Sequence, residues 1–159
     1  MAFNALEGLG LAKPITTMIT MMMQKKPVVL YHYPDKAFAV LAAHLFFFAT
    51  CLLVMFFRNT VCNPIASNQL PLAIISNIYL LDFVDPSGFV QEISSKVSRV
   101  VVLDHYKTAV DCGENSCSVG ENVERVIDIR RSGATIVFDY FEERAGSGLK
   151  DLNVVSMRV

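Results

Sequence analysis

Short apolar runs and polar breaks alternate through most of the chain, and the elements they predict alternate in type. Pro27–Tyr33 (PVVLYHY) is β-branched and aromatic and reads as a buried strand. Pro34 and Asp35 break it, and Asp35 stands where an N-cap belongs before a helix over Lys36–Phe48. Leu52–Phe57 predicts a second strand, and the polar stretch Arg58–Gln69 a loop. Ile75–Val84 predicts a third strand, stopped by Asp85-Pro86-Ser87-Gly88, with Ser87 as a cap for a short helix over Phe89–Lys96. Arg99–Leu103 predicts a fourth strand, and Asp111–Asn122 a polar surface loop. Val126–Ile129 reads as a short strand or bridge. Ser132–Arg144 reads as a helix with Ser132 near its start. Ala145–Lys150 is a Gly/Ser break. Strands and helices alternating at this spacing predict βαβ units, hence an α/β fold with a mostly parallel sheet flanked by helices and right-handed crossovers. The expected organisation is a loosely ordered leader over 1–26, an α/β domain over 27–144 and a short C-terminal tail over 145–159.

Ala37–Phe57 (AFAVLAAHLFFFATCLLVMFF) has no formal charge unless His44 is protonated, so by length and hydropathy it is also a membrane-span candidate. A buried helix running directly into a buried parallel strand has the same composition, because both are covered on all sides. The Ala- and Leu-rich first half suits the helix and CLLVMFF suits the strand, which is the reading adopted. A membrane-anchored fragment is the alternative. No Gly or Pro marks the turn between the halves, only Ala49 and Thr50.

The chain has 159 residues, 53% apolar and 18% charged, enough for one core of ordinary size. Its formal charge of -1 supplies no global basic field, so no long nucleic acid is expected as a partner. Cys51 and Cys62 lie in or beside apolar stretches, where a reduced thiol packs as a small hydrophobe. Cys112 and Cys117 flank GENS, a spacing unlike the usual zinc pairs. The Met- and Thr-rich leader lacks the layout of a secretory signal, and it has no Arg to suggest a transit peptide. An intracellular, cytoplasmic setting is expected, with the membrane as alternative.

Ligands of open parallel sheets bind outside the carboxyl ends of the strands. His32 ends the first predicted strand, Asp82 the third, and Asp104 and His105 the fourth. Imidazole mixed with carboxylate suits a borderline divalent ion, and such ions clamp and polarise phosphates.

Four blocks in order carry a family resemblance. VVVLDHYKTAVD resembles the Asp-His-His signature of the DHH phosphoesterase superfamily, and IYLLDFVDPSGFV its strand-closing Asp motif. VLYHYPDKAFAVLAAHL resembles the first motif, a His before Asp-Gly, and RSGATIVFDYF the Ser-Gly-Ala helix that commonly follows. The resemblance covers about Pro27 to Arg144. It implies a DHH-like domain and Mn²⁺- or other divalent-cation-dependent hydrolysis of phosphodiesters in nucleotides or short oligonucleotides. It also implies metal ligation by His32, Asp82, His105 and Asp35, with Asp104 and His105 as the catalytic pair. Arg130 and Arg131 are candidate phosphate contacts. The departures are a shortened first motif, Lys36 in place of its Gly, and Tyr106 in place of the second His. The fourth acidic motif and the second domain are not recognisable before Val159. The implied site is therefore degenerate and the domain incomplete, with impaired or absent turnover. A homo-oligomer or a protein partner is expected to cover sheet left exposed.

Overall fold

The computed structural model of the chain describes residues 24–32, 37–60, 62–83, 88–106 and 120–145. Five strands form one sheet: β1 (Lys26–His32), β2 (Met55–Asn59), β3 (Ile75–Leu81), β4 (Arg99–Asp104) and β5 (Val123–Ile127). Their spatial order is β2-β1-β3-β4-β5, and every neighbouring pair is parallel. The described helices are α1 (Ala37–Ala49), α2 (Phe89–Ser94) and α3 (Gly133–Ala145). This is the α/β parallel-sheet architecture that the alternation of elements predicts.

Side chains alternate across a strand, and here the alternation separates two cores. Val29, Tyr79, Leu81, Val101 and Leu103 face one side, beneath α1 and α3. There Phe46 and Phe47 of α1 meet Phe141 of α3 with ring centroids 4.7 and 5.6 Å apart. Val28, Leu30, Ile78, Leu80, Val100 and Val102 face the other side, beneath Phe89, Val90 and Ile93 of α2. With apolar cover on both faces, the middles of β1, β3 and β4 read as continuous apolar runs: Val28–Leu30, Ile78–Leu81 and Val100–Leu103.

The long apolar stretch divides as the helix-then-strand reading requires. Among the described residues no helix is long and apolar enough to cross a membrane. The break lies at Cys51, whose φ of 53° is left-handed. Its N–H donates to the Phe48 carbonyl at 3.1 Å, and the Leu52 N–H donates to the Phe47 carbonyl at 3.1 Å. That pair of bonds is a Schellman cap with a cysteine at the position usually held by glycine. The cap explains why no Gly or Pro announces the turn.

Several boundaries move. β2 begins at Met55, because Leu52–Val54 leave the cap before strand pairing starts, and it continues through Asn59 into the stretch expected as loop. β5 spans Val123–Ile127, earlier than expected, because pairing with β4 sets Val123 beside Val100 and Ile127 beside Asp104. Ser132 stands at the start of α3 as expected, and it caps the helix, its Oγ accepting the Thr135 N–H at 3.2 Å. Cys51 and Cys62 are free and exposed, not packed as small hydrophobes. Asp35, Lys36, Ser87, Cys112 and Cys117 lie outside the described residues, as do most of the leader and of the tail.

Candidate metal centre

From β1 the chain moves one place outward to β2, then returns past β1 to β3. The crevice at the carboxyl ends of β1 and β3 is therefore the topological switch point, where open α/β sheets bind ligands. His32 is the last residue of β1, and Asp82 follows β3 directly. Asp104 closes β4 on the next strand, and His105 follows it.

Asp82 and Asp104 are both buried, each 1% exposed. The Asp82 Oδ1 lies 2.6 Å from His105 Nδ1, and Asp104 Oδ1 lies 4.0 Å from the same nitrogen. With Asp82 as a carboxylate, which only accepts, His105 Nδ1 is the donor of that 2.6 Å bond. Asp104 Oδ1 accepts the backbone N–H groups of His105 at 2.6 Å and Tyr106 at 3.0 Å, which fixes the turn leaving β4. Burial pushes the Asp104 carboxyl above its ordinary range; the two N–H bonds oppose that shift and the nearby Asp82 adds to it. The rings of His105 and Tyr106 pack at a tilt of 34° with centroids 4.3 Å apart.

Asp82 is unusual in its backbone. Its φ is 46°, in the left-handed region, while its N–H still donates to the Leu103 carbonyl at 2.9 Å. The carboxylate lies against Gly133 at the start of α3, in the space a Cβ there would occupy.

No family model matches this chain, and neither does any curated protein. The rim has to be read from its own chemistry.

The donor atoms of Asp82, Asp104 and His105 all lie within 4.8 Å of one another. Bonds of about 2.1 Å place two donors of one ion at most about 4.2 Å apart. The 2.6 and 4.0 Å separations of Asp82 and Asp104 from His105 are both to Nδ1, the nitrogen hydrogen-bonded to Asp82, so His105 would ligate through Nε2, or through Nδ1 only on giving up that bond. Two carboxylates and one imidazole also suit Mn²⁺, Fe²⁺, Co²⁺ or Zn²⁺. By residue type, the group could hold a divalent cation.

The expected set His32, Asp82, His105 is only partly brought together. His32 stands outside the mutually close group, although the pairing of Tyr31 with Leu81 sets it level with Asp82 across β1 and β3. The left-handed turn at Asp82 accounts for this, since its carboxylate meets His105 and Gly133 instead. His32 Nδ1 is buried and without a hydrogen-bond partner, so a polar group remains to be satisfied beside the site. Arg130 and Arg131 lie in the turn after β5, on the same rim, as Asp128 N–H donates to the Asp104 carbonyl at 3.2 Å. The Arg131 guanidinium is engaged by Asp139 and by the Thr135 carbonyl. Arg130 is exposed. Sequence reasoning gave Asp104 a catalytic, site-supporting place, and it missed Gly133 altogether. The Ser-Gly-Ala block was the available signal, because glycine at the start of a helix often marks a close approach.

Proposed function

We propose that the rim is the site of a DHH-type, metal-dependent phosphoesterase acting on phosphodiesters of nucleotides or short oligonucleotides, with impaired turnover. The observation that supports this best is the meeting of Asp82, Asp104 and His105 at the switch-point rim. Mn²⁺ or a similar cation, when bound, supplies Lewis acidity toward a phosphate oxygen. Asp82 and His105 hold the cation, and Asp104 both contributes an oxygen and fixes the turn that carries His105. Arg130 is the arginine left to meet a phosphate, since Arg131 is occupied by Asp139. Tyr106 stands where the family has a second His; a neutral phenol is a poor ligand and a weak acid at neutral pH, which limits turnover.

The test is Mn²⁺ titration of the full chain by thermal shift, followed by cleavage of a chromogenic phosphodiester with and without Mn²⁺. A rise in Tm with Mn²⁺ and a slow, Mn²⁺-dependent release of product are expected, both lost in Asp82→Ala. Folded protein that shows neither response overturns the proposal.

A further inference from the structure

Two irregularities meet at one point of the molecule. The first is Asp82, a buried residue whose backbone is left-handed at φ 46°. Ile78 and Leu80 face the α2 side, so strand alternation would send residue 82 there as well. Its carboxylate lies instead against the first residue of α3, a helix whose Ile136, Val137, Tyr140 and Phe141 belong to the opposite core. The second irregularity is Gly133, which holds the first helical position after the cap Ser132. Nothing in helix geometry asks for glycine there; almost any residue is accepted in the first turn, and glycine lowers helix stability. A side chain at this position would coincide with both carboxylate oxygens of Asp82.

We propose that Gly133 is a positioning residue for the rim site. Its bare Cα leaves a notch at the start of α3, the Asp82 carboxylate fills the notch, and the contact holds Oδ1 where it meets His105 Nδ1. A left-handed aspartate costs free energy and persists only where its surroundings over-determine it, and this contact is such a constraint. α3 thus acts as a wall of the site as well as a core helix, and its packing on Phe46 and Phe47 of α1 ties that wall to the core. The consequence for metal binding rests on the phosphoesterase reading of the rim; the contact itself does not.

A double-mutant cycle separates the two. Gly133→Ala in the full chain is expected to lower Tm by at least about 4 °C and to weaken the Mn²⁺ response by at least tenfold. In an Asp82→Ala background, where the notch is empty, the same substitution is expected to leave Tm within about 2 °C or to raise it, since alanine is the better helix former. Equal losses of Tm in both backgrounds overturn the proposal, as does an unchanged Mn²⁺ affinity in Gly133→Ala. Coupling in Tm without any Mn²⁺ response in the parent chain refutes the metal reading and leaves the Asp82–Gly133 contact standing. Should Gly133→Ala fail to fold, the Asp82→Ala/Gly133→Ala double variant has room for the new side chain and is expected to fold; if it also fails, the proposal falls.

Discussion

Cys51→Gly is expected to stabilise the protein, and the reason lies in the cap that splits the apolar stretch. Cys51 sits at φ 53°, a conformation that costs an ordinary L-residue roughly 1–2 kcal/mol. Glycine removes that cost but brings a more flexible unfolded chain, which offsets roughly 0.5–1 kcal/mol. The Cys51 side chain is exposed and free, so no core contact is lost. The net gain is about 0.5–1 kcal/mol. For a chain of this length it appears as a rise in Tm of about 1–4 °C. Urea denaturation followed by far-UV circular dichroism gives the same quantity as a shift of midpoint at unchanged m-value. Cys51→Val should do the opposite, because a β-branched residue tolerates this region worst. A Cys51→Gly variant that loses stability, or a Cys51→Val variant that gains it, would refute the reading of residues 47–52 as a left-handed cap and with it the account of how the helix gives way to β2.

Phe47→Ala should cost about 3–5 kcal/mol by urea denaturation, since Phe47 is 2% exposed and its ring meets those of Phe46, Tyr79 and Phe141. Glu124→Gln should cost only about 0.5–1 kcal/mol, and less in high salt: Glu124 binds Arg99, Arg144 and Tyr140, but the ion pairs are partly exposed. A salt-independent loss would contradict that assignment. Because burial raises the Asp104 pKa, the folded chain binds that proton more tightly than the unfolded chain. Its contribution to stability without metal is therefore complete below the ordinary carboxyl value of 3.8 and is lost as pH rises through the higher folded value. Asp104→Asn should flatten this slope in denaturation curves taken from acid to neutral pH. Mn²⁺ affinity, which needs the carboxylate, should rise over the same window in the parent chain and not in the variant.

The division of the chain into strands and helices was legible because the signals are local. The middles of PVVLYHY, ISNIYLL and RVVVL (VVL, IYLL and VVVL) are apolar on both faces of the strand, a pattern that parallel strands under two helical layers require. The same burial blurred Ala37–Phe57, where composition does not separate a span from a helix followed by a strand. In the structure a helix and a strand meet there at a cysteine in a left-handed cap, and sequence signals nothing at a position that usually carries glycine. Strand-end residues can be picked out in the same local way, which is why Asp82, Asp104 and His105 enter as candidates. Which donor atoms meet is a different matter, because it depends on strand order, on register and on how each chain end turns. His32 is level with Asp82 by register, yet the left-handed turn at Asp82 takes its carboxylate toward His105 and the start of α3. The linear chain thus determined the elements and the chemistry available at their ends. Only the tertiary structure decided which of those groups share a site, since contacts between residues 82, 105 and 133 arise from the packing of separate strands and a helix that no local pattern encodes.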